Sequence, residues 1–367
     1  MERLAARRVL FADGSVGPGA VTIADGRIAA ITRLGGRDDL PDRTLSPGLV
    51  DLQVNGWAEL DVAAIDGGGL DDLGRRLAAR GTTSWCPTLI SQPVAAYRRW
   101  FDEHPSPAPG EVGVHIEGPY LAASRAGAHP SRLLRRPDAD WLDGLPARVR
   151  LVTLAPELAG ADLAIARLVG RGVRVSLGHS AATFDEALAA AAAGASMVTH
   201  VFNAMNPLHH RDPGLAGAAL SGRGLTPAVI ADGVHVHPAV VHLVLCSGPA
   251  VLVSDSVAWD RPGVIVAGGA ARLAGGATLA GSVISLAEAV ARTVGQAGVP
   301  LATALVAATR APAAILGLDD RGVLSPGRRA DLVAFGPDLT VTGVWVGGVR
   351  QAGPTGPGAP DEPGGHR

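Results

Sequence analysis

Lysine is absent from this chain: all 32 of its basic residues are arginine. Without a lysine amine there is no Schiff base, no lysine general base and no carbamylated lysine to bridge two metal ions. Any bound phosphate has to be held by arginine, histidine, backbone N–H groups or a helix N-terminus. Cysteine is nearly as scarce, with Cys86 and Cys246 far apart and outside any CxxC spacing. That argues against a disulfide framework and against a cysteine-based zinc site. A basic stripe is missing too, since the formal net charge is −2, so nucleic acid is not an expected partner. No run of eighteen apolar residues is present to span a bilayer. The apolar stretch Val9-Leu10-Phe11 is too short for the core of a signal peptide. The expectation is a soluble, cytoplasmic protein that binds neither membrane nor nucleic acid.

What is present is globular. Hydrophobic residues make up 47% and charged residues 18% of 367 positions, enough to bury a large core in one barrel-sized domain. Both ends are rich in short strands. Val21-Thr22-Ile23 and Arg27 to Ile31 flank the turn pair Asp25-Gly26, which favours a tight hairpin. Near the other end, 330–335 and 341–346 alternate around Gly336-Pro337-Asp338. The two ends together are expected to form a small β-sandwich from 1–47 and 325–351. From 352 to 367, proline and glycine without periodicity predict a disordered tail.

The centre, 48–324, alternates strands and helices at roughly 25 to 35 residues per unit, which favours a parallel (β/α)8 barrel. Helices are expected over 70–80, 285–296 and 300–316. Another starts at Thr183 with a capping box to Glu186 and ends near Gly194. No GxGxxG or P-loop sequence stands in a context that would argue for a doubly wound sheet.

Three of the expected strands end in metal-ligand chemistry. Val112 to Ile116 runs into Glu117, Val173 to Leu177 into Gly178-His179, and Met197-Val198-Thr199 into His200. In a barrel of this kind catalytic residues come from the C-terminal ends of several strands. Two imidazoles and one carboxylate suit a catalytic zinc that keeps an open position. Fe, Mn and Co accept the same set. One carboxylate and two neutral imidazoles on a divalent ion leave one positive charge, which lowers the pKa of a bound water toward neutrality. Asp255, at the end of 250–254, is placed to take a proton and return it to a leaving group. Its other reading is a buried carboxylate that caps a helix or pairs with an arginine. His115 shares a face with Glu117 and is either a partner of the ligands or a satisfied core residue. His235 follows a strand-like run, whereas His209 and His210 belong to a solvated loop.

The ordered segments carry a resemblance. They are 46–56 (SPGLVDLQVNG), 115–120 (HIEGPY) with Gly127-Ala128-His129, 177–183 (LGHSAAT), 199–207 (THVFNAMNP), 211–216 (RDPGLA), 231–235 (ADGVH), Ser254-Asp255 and 279–282 (LAGS). Together they resemble the amidohydrolase superfamily and, within it, the N-acetylglucosamine-6-phosphate deacetylases. The resemblance covers nearly everything except the tail. It implies a barrel with a β-sandwich built from both termini, and Glu117, His179 and His200 as metal ligands. Asp255 is implied as general base and then acid, and His129 as the group that polarises the acetyl carbonyl. Ala128, Asn203, Ala204, Arg211 and His235 would bind the sugar phosphate, with the backbone of Leu279, Ala280 and Gly281 along the sugar. Homodimers, in which a partner subunit closes the phosphate end, are common in the family.

The chain departs from that pattern in three places. Gln53-x-Asn55 replaces the His-x-His of many amidohydrolases, and neutral amides are poor ligands for a second metal, so one ion per subunit is expected. Ser256-Val257-Ala258-Trp259 follows Asp255 where small residues are usual. Asp212 stands where glutamate is common. The implied reaction is hydrolysis of N-acetylglucosamine 6-phosphate to glucosamine 6-phosphate and acetate. Rival readings are deacetylation of the galactosamine epimer, hydrolysis of another N-acyl or cyclic amide, and a barrel without activity that serves as a scaffold.

Overall fold

The computed structural model of the chain describes residues 1–36, 39–276 and 278–352. Of the expected tail, all but residue 352 lies outside the described residues. The branched runs of the centre form eight parallel strands in sequence order. They are Leu49–Ala58, Thr82–Leu89, Val114–Glu117, Val149–Leu154, Arg174–Leu177, Met197–Val198, Thr226–Ile230 and Val251–Val253. Each pairs with the next in parallel register, as Ser176 with Met197 and Ala228 with Val251. Closure is made at Asp255, whose N–H donates to the Gln53 carbonyl at 3.0 Å. The next residue, Ser256, opens strand Ser256–Ala258 and pairs in parallel with Val54. The expected (β/α)8 barrel is therefore the observed one.

After closure the chain adds a feature that hydrophobic periodicity did not reveal. Hairpin Val264–Ala267 and Ala270–Leu273 turns at Gly268-Gly269, both in the left-handed region, and pairs with Leu279–Ser282. Ile265 and Val266 are exposed on it.

The two ends build one continuous seven-stranded sheet. Asp25 and Gly26 both adopt positive φ, and Ala24 pairs with Arg27, the conformation that a tight antiparallel hairpin requires. Strand Leu332–Phe335 shows the period of two. Leu332 and Ala334 join Leu4, Val21, Leu45 and Trp345 in the sheet's own core, while Val333 and Phe335 pack into the barrel's core. One strand thereby binds the terminal sheet to the barrel.

Helices form where cap and stripe agree. The predicted capping box at Thr183 is present, and helix Phe184–Ala192 follows it. Ser285 and Glu288 make a second box at the start of Leu286–Gly295. Helix Gly67–Ala79 starts three residues before the expected 70, because the Asp66 carboxylate accepts the Gly69 N–H. It buries Leu70, Leu73 and Leu77 against the barrel, each worth roughly 1.5–3 kcal/mol. The single helix expected over 300–316 is two, Leu301–Ala307 and Arg310–Leu316. Pro312 has no N–H to offer the Ala308 carbonyl, and its ring would collide with it, so the helix breaks and restarts.

The seam between the first and eighth strands holds a buried carboxylate. Asp51 Oδ1 accepts the N–H groups of Gln53 and Ser254, each at 3.2 Å. Its Oδ2 is buried with no partner among the described residues. Burial lifts its pKa from 3.8 to about 6. The folded chain then keeps a proton that the unfolded chain has already lost, so stability falls as pH rises from about 4 to about 6. Relative to Asp51→Asn, the wild-type unfolding free energy should drop by ~2 kcal/mol between about pH 4.5 and about pH 7.5. Urea unfolding of both proteins at the two pH values measures this. Parallel pH dependence would mean that Asp51 titrates normally.

Candidate active site and metal centre

Glu117 is the last residue of Val114–Glu117, while His179, His200 and Asp255 each stand two residues beyond their strands. The last three have positive φ, at 48°, 29° and 49°. A left-handed residue at a strand end swings its side chain over the barrel mouth, and a non-glycine side chain there costs on the order of 1–3 kcal/mol. Four strands thus deliver four polar side chains to one level, all buried.

Glu117 Oε1 lies 3.2 Å from His179 Nε2 and 3.0 Å from His200 Nε2, and the two imidazole nitrogens are 3.1 Å apart. His179 Nδ1 faces the Arg125 carbonyl at 2.9 Å. A carbonyl only accepts, so Nδ1 carries the proton and Nε2 presents a lone pair. Burial raises the Glu117 carboxyl, and only an N–H or a positive charge set against it brings it below the usual carboxylate range; the lone pair of His179 supplies neither. A proton on His200 Nε2 would still leave Glu117 Oε1 and His179 Nε2, both acceptors, in contact at 3.2 Å. A divalent cation about 2.1 Å from each would space its ligand atoms by roughly 3.0–3.4 Å, which matches the observed set.

His129 is near enough to be considered a ligand, since Glu117, His129 and His179 offer atoms within 4.8 Å of one another. Its protonation decides otherwise. The backbone N–H of Ser91 donates to His129 Nδ1 at 3.2 Å, with the Ser91 hydroxyl at 2.8 Å. Burial holds the ring neutral, with a pKa of about 3, so its one hydrogen is on Nε2, 3.8 Å from Glu117 Oε2. That nitrogen is a hydrogen-bond donor aimed into the site. Glu117, His179 and His200 are the residues that could hold an ion here.

The two amides of the first strand have a role that their sequence position concealed. Gln53 Nε2 donates to Glu117 Oε1 at 3.2 Å, and Asn55 Nδ2 to Asp255 Oδ1 at 2.8 Å. Burial raises the Asp255 pKa well above the usual value and the Glu117 charge adds to this, while His200 and the Asn55 amide oppose it. Both carboxylates are thus oriented by neutral donors.

These groups open onto a cavity of about 410 Å³. Besides Glu117, His179, His200, Asp255 and His129, it is lined by Ala128, Asn203, Ala204 and His235, and by Leu279, Ala280 and Gly281 beside the added hairpin. The His235 ring is held by Asp232 Oδ2 at 2.6 Å. Arg211 is the predicted site residue that does not arrive. It is exposed on the loop before helix Gly214–Leu220 and is not part of the cavity wall. The wall contains instead a pair that no motif announced, Arg261 with Asp61, joined across 200 residues. Ser91 and the Arg125 carbonyl were equally silent, since the first acts on its ring through a backbone N–H and a hydroxyl and the second through a backbone carbonyl, neither of which a motif marks.

Comparison with known proteins agrees with this geometry. Residues 44–350 match the amidohydrolase family. An N-acetylgalactosamine-6-phosphate deacetylase of Escherichia coli O157:H7 is 39% identical over 94% of this chain and 98% of that protein. The human N-acetylglucosamine-6-phosphate deacetylase is 37% identical over 85% of this chain and 84% of its own. A solved D267A mutant of the Mycobacterium smegmatis N-acetyl-D-glucosamine-6-phosphate deacetylase, in complex with N-acetyl-D-glucosamine-6-phosphate, superposes with a TM-score of 0.85 at 34% identity, covering 95% of this chain and 98% of that one. The chain belongs to the amidohydrolase family, among its deacetylases of N-acetylated hexosamine 6-phosphates.

Proposed function

We propose that this protein hydrolyses the N-acetyl group of N-acetylglucosamine 6-phosphate to give glucosamine 6-phosphate and acetate. The observation that carries the reading is the meeting of Glu117, His179 and His200 with Asp255 and His129 in one cavity. Glu117, His179 and His200 would hold one divalent ion per subunit, zinc by preference for two imidazoles and a carboxylate. When bound, such an ion supplies Lewis acidity and a nucleophilic water at neutral pH.

The chain's own groups do the rest. His129 Nε2–H points to where the acyl oxygen gains charge, and its neutral ring donates without competing for the ion. Asp255, oriented by the Asn55 amide, accepts a proton from the attacking water and passes it to the amide nitrogen as the C–N bond breaks. A new C–O bond replaces that C–N bond, and the water's second proton leaves with acetic acid. Asn203, Ala204 and His235 line the part of the cavity assigned to the sugar phosphate. Arg211, exposed outside its own chain's cavity, fits a homodimer in which a partner subunit closes the phosphate end. The proposal also takes the barrel, 48–324, as the catalytic unit, the terminal sheet as its support and the cytoplasm as its location. Among the described residues no helix is long and apolar enough to cross a membrane.

The galactosamine epimer is the second reading, favoured by the 39% identity to a deacetylase named for it. Acetate release from both N-acetylhexosamine 6-phosphates and both unphosphorylated sugars decides. Turnover of the gluco 6-phosphate at least about tenfold above the others, a difference of ~1.4 kcal/mol, is expected. Release from none of them, on protein with measured zinc, would end the proposal. Asp255→Asn should retain its metal and lose roughly 10²–10⁴-fold in kcat, and a near wild-type rate would remove Asp255 from the chemistry. Arg211→Ala should cut the preference for the phosphorylated sugar by about 10–100-fold, the scale of a charge-assisted contact. An unchanged preference would exclude that arginine from phosphate binding.

A further inference from the structure

Directly beneath the ligands, the barrel interior contains a row of buried polar side chains that the mechanism does not use. His115, Thr153, Ser176 and Thr199 are all fully buried. His115 Nε2 lies 2.8 Å from Thr153 Oγ1, Thr153 Oγ1 lies 2.7 Å from Thr199 Oγ1, and Thr199 Oγ1 lies 2.5 Å from Ser176 Oγ. The direction of the row is determined. His115 Nδ1 faces the Leu52 carbonyl at 3.1 Å, and a carbonyl only accepts, so Nδ1 carries the hydrogen and Nε2 is an acceptor. Thr153 therefore donates to His115. Its single hydrogen is then committed, so Thr199 donates to Thr153, and by the same count Ser176 donates to Thr199. Every hydroxyl in the row has one role that it can fill.

The members are distributed in a telling way. His115 stands two residues before Glu117, Ser176 three before His179 and Thr199 one before His200. Each ligand-bearing strand thus contributes one member. Thr153 comes from Val149–Leu154, which lies between two of those strands and supplies no ligand. Thr153 is the Cα partner of both Glu117 and Ser176, so it sits at the level where the ligands emerge. Gly178, just before His179, is pressed against the same row. A Cβ there would come within 2.9 Å of the Thr199 Cβ and 3.0 Å of the Thr153 Cγ2.

We propose that this directional row, with Thr153 as its hub, is a positioning device for the metal ligands. His179 and His200 sit in the left-handed region, a costly conformation that persists only when the surroundings over-determine it. The row fixes residues just before them and sets the register of the three strands that carry Glu117, His179 and His200 against Val149–Leu154, which packs between two of them. Groups hydrogen-bonded directly to metal ligands change metal affinity by about 10–100-fold when removed, and the row, one step behind the ligands, is expected to act on the same scale. The inference rests on the reading that these three residues hold a divalent ion.

Thr153→Val tests it, because valine keeps the shape and removes both the donor to His115 and the acceptor for Thr199. Zinc alone is the probe, measured on metal-stripped full-length protein by competition with a chromophoric chelator, and urea unfolding of the stripped proteins reports stability separately. Thr153→Val should bind zinc about 10–100-fold more weakly, and Thr153→Ser, which restores the hydroxyl, should return to within about threefold of wild type. A merely structural hydroxyl would lower stability and leave zinc affinity within about threefold, and that result overturns the proposal. Should Thr153→Val not fold, Ser176→Ala decides, since it removes only the terminal donor. A loss of about threefold or more in affinity supports the row, and unchanged affinity overturns it. Failure of the wild-type protein to bind zinc would instead strike the metal reading itself.

Discussion

Three electron-rich atoms held in mutual contact are the constraint on which this structure depends. Glu117 Oε1 and the Nε2 atoms of His179 and His200 sit 3.0–3.2 Å apart, away from water, where their repulsion is least screened. Nothing in the local backbone brings them there. They come from strands separated by 62 and 83 residues, and only closure of the barrel sets them at one height. Most of the surrounding polarity serves this meeting. Gln53 donates to the carboxylate, the Arg125 carbonyl selects the tautomer of His179, and Ser91 gives His129 the opposite tautomer.

The two histidine tautomers divide the site into a side that presents a lone pair toward Glu117 and His200 and a side that donates a hydrogen bond. Distance alone groups His129 with Glu117 and His179. The hydrogen-bond partner of its far nitrogen removes it from them. The first-strand amides show the same economy. Where many amidohydrolases place histidines, Gln53 and Asn55 offer N–H groups to the two carboxylates, and this orients Asp255 as well as Glu117.

Much of this was legible in the chain. Branched runs that end in Glu117, Gly178-His179 and His200 mark strand ends, because a parallel strand buried on both faces must be apolar and its polar residues collect where it stops. The Asp25-Gly26 hairpin and the Thr183 capping box are local chemistry and appeared as expected. The helix over 300–316 was misjudged because periodicity continues through Pro312 although the backbone hydrogen bonding cannot. Arg211 shows a different limit. A motif places a residue in a loop but does not say which way the loop faces, and here it faces outward.

The sequence by itself determined the kind of fold and the place of Glu117, His179 and His200 at or just beyond strand ends, since these follow from periodicity and from the chemistry of single side chains. Only the tertiary structure decided which imidazole nitrogen carries a hydrogen, that Gln53 and Asn55 serve the carboxylates, and that Arg261 rather than Arg211 lines the cavity of its own chain. Those outcomes depend on backbone carbonyls and N–H groups, and on contacts between strands far apart in the chain. A backbone amide or carbonyl is the same at every residue, so its influence on a site exists only once the chain has folded around it.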